Sequence, residues 1–205
     1  SAETSEDYWK GYDQLIEPLE ARGIPFTFVF GNHDAEEKVS KEYQMEIYNT
    51  YDCCVAVDEG DALYGCGTYN LPVMSSDGTK IKFNVWVFDS GDYDDEGEYG
   101  WVKKDQIEWY KAESASLKEA NGGNPVPSIL FQHVPVSDMG FLFEECKMWD
   151  EGARLEGGKF YRLNKEVANG YNAGAFTPIE DTTAQFKAWK ECGDVLGAYF
   201  GHWHT

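Results

Sequence analysis

Four histidines stand in this sequence, His33, His133, His202 and His204. Each comes just after a short aromatic or β-branched run. His33 follows Phe26-Thr27-Phe28-Val29-Phe30, His133 follows Ser128-Ile129-Leu130-Phe131, and His202 and His204 follow Val195 to Phe200. Such runs predict strands buried on both faces, and open α/β sheets bind ligands at the carboxyl ends of their strands. Independent placement would scatter some histidines over helices and surface. Imidazole is a common ligand for zinc, iron and manganese. In Gly201-His202-Trp203-His204 the i, i+2 spacing turns both rings to one side of an extended segment, and Gly201 lets the backbone turn. In Gly31-Asn32-His33-Asp34 an amide, an imidazole and a carboxylate share one tight turn. The amide oxygen is a neutral metal ligand. A carboxylate beside a histidine fixes its tautomer and raises its pKa, which suits a general acid on a leaving group. Each feature also has an ordinary reading: a polar strand terminus for His-X-His, turn chemistry for Asn-His, a strand cap for His133 before Pro135. Their joint occurrence in this order favours a metal centre.

The elements that must position these residues alternate between helix and strand. Thr4-Ser5-Glu6-Asp7 reads as a loose capping box, and Tyr8, Tyr12, Leu15, Ile16 and Leu19 give the helix it opens one apolar face. Arg22-Gly23 ends that helix, and Phe26 to Phe30 is the strand after it. Further helices are predicted over Glu36 to Tyr48, Asp105 to Leu117 and Thr183 to Lys190. Further strands are predicted over Ile81 to Phe88, Ser128 to Phe131 and Val195 to Phe200. Asp92 to Glu98 is an acidic, solvated loop. From Ser137 to about Pro178 the pattern weakens and glycine is frequent, which predicts a long loop bordering a site. No boundary or repeat divides the chain, so residues 1–205 read as a single domain.

The 205 residues include 17 Lys+Arg and 37 Asp+Glu, a formal charge of −20. Such a surface repels phosphate backbones and anionic headgroups, which argues against nucleic-acid binding by a basic face. An anionic substrate would need a locally positive site, and a metal cluster would supply one. No apolar run has the length of a membrane span, and no signal-peptide pattern is visible, which leaves cytoplasmic and extracytoplasmic settings equally open. Oligomeric state is not legible. The five cysteines show no CxxC and no zinc-finger spacing, so free thiols are the default reading, with one disulfide possible.

Gly31-Asn32-His33-Asp34, His133 after its strand and Gly201-His202-Trp203-His204 resemble the later motifs of calcineurin-like metallophosphoesterases. Val87-Phe88-Asp89-Ser90-Gly91, Gly100-Trp101 with Gln106-Ile107-Glu108-Trp109, and Phe131-Gln132-His133-Val134-Pro135 resemble the branch related to purple acid phosphatases. The resemblance runs from about Tyr8 to Thr205. It implies an α/β fold, a four-layer α/β/β/α sandwich with two transition metal ions (iron, zinc or manganese) at the strand ends, here truncated at both ends. It implies that Asn32, His133 and His202 hold the second metal and His204 the first. His33 would contact the phosphoryl group or protonate the leaving oxygen of a phosphate-ester substrate, and Asp34 would orient His33.

The family's two earlier motifs, Asp-X-His and Gly-Asp-X-X-Asp/Tyr, supply the first-metal ligands and a bridging carboxylate. Neither occurs in the 30 residues before Gly31. Gly91-Asp92-Tyr93-Asp94-Asp95 fits the second pattern literally but follows the Asn-His motif. The sequence therefore predicts a partial metallophosphoesterase domain that binds at most one ion tightly and is inactive by itself, its parent protein being a metal-dependent phosphoesterase. The alternative is a non-catalytic binding module on the same fold. A calcium module built on Asp92, Asp94, Asp95, Glu96 and Glu98 ranks below both, since no EF-hand loop is present.

Overall fold

The computed structural model describes residues 5–36, 39–93, 97, 99–170 and 184–203. Its centre is a four-stranded sheet of order β1-β2-β3-β7, from Tyr69–Met74 (β1), Ile81–Phe88 (β2), Ser128–Gln132 (β3) and Val195–Phe200 (β7). β1 pairs antiparallel with β2, whereas β2, β3 and β7 run parallel, Val87 opposite Phe131 and Phe131 opposite Tyr199. The carboxyl ends of three strands therefore lie along one margin. β1 carries Pro72, and an edge strand is where a residue without an N–H is tolerated.

The sheet buries apolar side chains on both faces. Trp86, Phe88 and Leu130 pack with Ile107, Tyr110 and Leu117 of α3 (Lys104–Ala120) and with Ala188 and Trp189 of α4 (Gln185–Cys192). On the other face, Tyr69 and Val87 pack with Phe30, Ala56, Cys66 and Met45, the last from α2 (Lys41–Tyr48), the helix after α1 (Ser5–Glu20). The α/β class expected from the sequence is borne out. Buried polar groups tie the layers together. Asp194, just before β7, accepts from Trp86 Nε1 at 3.0 Å and from the Tyr110 hydroxyl, so one carboxylate links β2, α3 and β7. Gln106, in the first turn of α3, donates to Thr68 Oγ1 at 2.7 Å and to the Asp89 carbonyl at 2.8 Å, fixing the carboxyl end of β2. All five thiols are free. Among the described residues no helix is long and apolar enough to cross a membrane.

Three expectations are corrected. Phe26 to Phe30 has strand composition but is an extended segment. Among the described residues it forms one isolated bridge, Phe26 to Cys54, and Phe28 and Phe30 fill the core instead of joining a ladder. The helix predicted from Glu36 begins at Lys41, where the Ser40 side chain accepts from the Tyr43 N–H. Before it, Asn32–Glu36 forms a separate 3-10 turn. The long loop after Ser137 contains a three-stranded antiparallel sheet of Phe143–Cys146 (β4), Arg154–Glu156 (β5) and Lys159–Leu163 (β6), in the order β4-β6-β5. Gly157 and Gly158, at φ +54° and +80°, turn β5 into β6. These strands have three to five residues and are half exposed, so they carry no hydrophobic alternation to read. The part of that loop at 171–178, and Thr183 at the start of the predicted last helix, lie outside the described residues.

Candidate metal centre

Three of the predicted site residues meet at the carboxyl margin of the sheet. Asn32 is buried at the start of its 3-10 turn. Its Oδ1 lies 2.9 Å from His133 Nε2 and 3.1 Å from His202 Nδ1. The three come from three separate connections, after the Phe26–Phe30 segment, after β3 and after β7. The two imidazole rings stand edge to face with centroids 5.3 Å apart. Two ligands on one ion at bond lengths near 2.1 Å are about 3.0–3.4 Å apart; 3.1 Å falls inside that range, and 2.9 Å, just short of it, is the length of a direct hydrogen bond. The set, two imidazoles and an amide oxygen, suits zinc, iron or manganese.

The backbone clamps this arrangement. A Cβ on Gly31 would stand 2.9 Å from the His133 ring, and one on Gly201 would stand 2.8 Å from His133 Nδ1. Both positions exclude any other residue while the ring stays in place. The extended geometry predicted for Gly201 to His204 is corrected over residues 201–203, the part described. β7 ends at Phe200, Gly201 N donates to the His133 carbonyl at 3.0 Å, and His202 takes φ +67°. That left-handed residue brings His202 Nδ1 over Asn32, where a continued strand would have carried it onward. Burial, with the nearby His202 adding to it, lowers the His133 pKa from 6.5 to about 4. The ring is neutral near pH 7, the form that ligates metal.

His33 diverges from Asn32, as expected of neighbours on a turn. Its side chain is 66% exposed, and Nδ1 lies 2.9 Å from Glu36 Oε2. The expected Asp34–His33 contact is corrected. Asp34 Oδ2 accepts from the Gly31 N–H at 2.7 Å and closes the turn, leaving Glu36 to hold the imidazole. The hydrogen bond from His33, then that from Tyr93, keeps the Glu36 carboxyl below its ordinary range. His204 lies outside the described residues, as do Asp94, Asp95, Glu96 and Glu98. Among the described residues no three His, Cys, Asp or Glu side chains converge; the third member of this cluster is an amide.

The sequence motifs around the histidines build the wall of the site. Asp89 accepts from Cys66 N at 2.8 Å and Gly91 N at 2.9 Å, and pairs with Lys41 Nζ at 3.3 Å, all in the interior. Ser90 Oγ accepts from Val134 N at 2.8 Å, tying the end of β2 to the His133 segment. The sequence does not mark Tyr93 or Tyr99 as site residues. Tyr93 OH accepts from Asn32 Nδ2 at 3.0 Å and donates to Glu36 Oε1 at 3.0 Å, while the Tyr99 ring lies 4.2 Å from that of His202. In sequence, Asp92 to Glu98 reads as a solvated acidic loop, and its one phenol among carboxylates is the only local signal of another role.

No protein-family model matches the chain, and no solved structure matches it. Curated relatives do. It is 29% identical over 222 residues to "Probable inactive purple acid phosphatase 14" of Arabidopsis thaliana, covering 99% of this chain and 50% of that protein. It is 27% identical over 218 residues to "Probable inactive purple acid phosphatase 29" of the same plant, covering 98% and 51%. To "Phosphatase DCR2" of Saccharomyces cerevisiae it is 27% identical over 135 residues, covering 61% and 23%. The chain spans about half the length of the two plant proteins.

Proposed function

This chain is related to purple acid phosphatase-like proteins, and on that premise we propose that it carries one metal-holding part of a phosphoesterase centre. Asn32, His133 and His202 hold a transition metal ion, zinc, iron or manganese. His204 is assigned to a neighbouring metal of the complete centre, where two ions act together. The observation that carries this reading is the approach of Asn32 Oδ1 to within 2.9 Å and 3.1 Å of two imidazole nitrogens from different strand ends. An ion held by these three residues would supply Lewis-acid chemistry, polarising a phosphoryl oxygen and offsetting the charge that develops on it.

The chain's own residues supply the rest. All three donors are neutral, so the full charge of a bound cation stays available to an anionic ester, even on a chain of charge −20. Glu36 on Nδ1 of His33 leaves Nε2 as the ring atom for substrate. Protonated, Nε2 donates a hydrogen bond to a phosphoryl oxygen, or its proton to the leaving oxygen as the P–O bond breaks. Asp34, by closing the turn on Gly31, keeps Asn32 and His33 pointing apart.

Binding without turnover is the second reading. It is favoured by the words "probable inactive" in the names of three relatives, and by the absence of a bridging carboxylate from the cluster among the described residues. Titration of Zn²⁺ into the chain, with nitrophenyl phosphate hydrolysis assayed alongside, tests both. One ion per chain is expected, lost in His133→Ala and Asn32→Ala and kept in His33→Ala, with no meaningful turnover. Zinc uptake indifferent to His133→Ala and His202→Ala would sink the metal assignment. Robust metal-dependent hydrolysis by the chain would overturn the inactive reading and make Asp92 or Asp94 candidate ligands. In a longer, active protein His33→Ala should lower kcat by about 10²–10⁴-fold, and less for nitrophenyl than for alkyl esters.

A further inference from the structure

An asparagine side chain has two nearly isosteric ends, an oxygen that can ligate or accept and an NH₂ that can only donate. A half-turn of the Asn32 amide would exchange them and present the NH₂ to the two imidazoles. Ring nitrogens that carry no hydrogen, as metal ligation requires, favour the NH₂ end, so holding Oδ1 toward them falls to the hydrogen bonds on the far side of the amide. There Nδ2 donates to the Tyr93 hydroxyl at 3.0 Å, and that hydroxyl donates to Glu36 Oε1 at 3.0 Å. A phenol has one proton. With that proton directed to the carboxylate, only lone pairs face Asn32, and they accept from NH₂ and repel Oδ1.

The phenol is itself held in place. Tyr93 and Tyr99 form an isolated antiparallel bridge with ring centroids 5.5 Å apart, and Gly100 N donates to the Asp92 carbonyl at 2.9 Å. Tyr99 in turn lies against His202. Glu36 is committed on both oxygens, to Tyr93 and to His33.

We propose that Tyr93 is a positioning residue: its hydroxyl, oriented by Glu36, fixes the Asn32 amide with Oδ1 toward His133 and His202 and so sets the affinity for an ion that it does not itself ligate. The proposal rests on the metal reading above. Partners of metal ligands in this role are worth about 10–100-fold in affinity.

The test is a double-mutant cycle read by titration with Zn²⁺ alone. Tyr93→Phe keeps the ring and its contact with Tyr99 but removes the hydroxyl, and should weaken zinc binding by about 10–100-fold. A carboxylate offers oxygen from either end and needs no orienting partner. In the Asn32→Asp background, Tyr93→Phe should therefore cost little. No loss in the wild-type background would overturn the proposal. An equal loss in both backgrounds would also overturn it, since that marks a general structural effect. Side-chain ¹⁵N–¹H spectra of the metal-free chain give an independent reading. The Asn32 NH₂ pair should shift and broaden in Tyr93→Phe as the amide is released. If wild-type chain takes up no zinc, the metal reading fails and the spectra still decide the positioning claim: Asn32 signals unchanged by Tyr93→Phe would refute it.

Discussion

His133 is the residue on which the site's chemistry and the chain's stability meet. Folding lowers its pKa from 6.5 to about 4, because the ring is half-buried and faces another imidazole. The unfolded chain therefore takes up this proton at higher pH than the folded chain does. The contribution is fully present above pH 6.5 and is lost as the pH falls toward and through 4. Carboxylates titrate in the same window, so the residue's share is a difference between variants. In metal-free chain, the thermal midpoint of wild type should fall more steeply than that of His133→Asn between pH 6.5 and pH 4. Parallel profiles would show that the ring is not held neutral by the fold.

At the scale of elements, the carboxyl margin of the sheet depends on how its helices end and its strands begin. α4 packs Ala188 and Trp189 against the sheet and returns the chain into β7 within three residues, through Gly193 and Asp194. Gly193 makes that return at φ +70°, its N–H donating to the Trp189 carbonyl at 2.9 Å. No atom lies within 4 Å of a Cβ built there, so Gly193→Ala meets no clash. Its cost is conformational alone, about 1–2 kcal/mol for an L-residue in the left-handed region. Urea denaturation should show that loss with an unchanged slope. A loss near zero would mean that the helix end relaxes to another cap. The neighbouring Asp194 carboxylate, with Trp86 and Tyr110 on it, ties the start of β7 to β2 and α3.

The molecule as a whole carries a charge of −20 and is compacted against its own repulsion. The described ion pairs do little to relieve this, since most are exposed, and exposed pairs contribute about 0–1 kcal/mol. Salt should therefore stabilise the chain. Between about 20 mM and about 500 mM NaCl the screening length falls from well above to well below the ~10 Å of 0.1 M salt. A gain of about 1 kcal/mol would raise the thermal midpoint by about 2–4 °C for a chain of this size. A midpoint that falls with salt would mean that the paired charges outweigh the net repulsion. The same surface excludes anions except where a cation is bound, so the proposed metal would decide both whether and where a phosphate ester docks.

The strands Ile81–Phe88 and Val195–Phe200 are legible residue by residue, because alternation and β-branched runs are local properties. So is the grouping of Asn32, His133 and His202. His133 and His202 each follow a strand, and parallel strands end on the same side; Asn32 joins them in the sequence through the motif resemblance. Local pattern could not say which carboxylate holds His33. On a 3-10 turn residues three apart eclipse, which stacks His33 on Glu36 and folds Asp34 back to Gly31, whereas the adjacent pair expected from sequence points apart. Nor could it show that, among the described residues, Phe26 to Phe30 forms no ladder, since pairing is a property of the partner strand. His202 reaches Asn32 through a left-handed backbone, with the Trp203 N–H donating to the Gly201 carbonyl at 2.7 Å across it, a turn that no local sequence pattern announces. Tyr93 lies 61 residues from Asn32 along the chain. Residue types and spacing determined which donors this protein brings to its strand ends. Contacts between distant segments decided how those donors are aimed, because the direction of a side chain depends on what stands behind it.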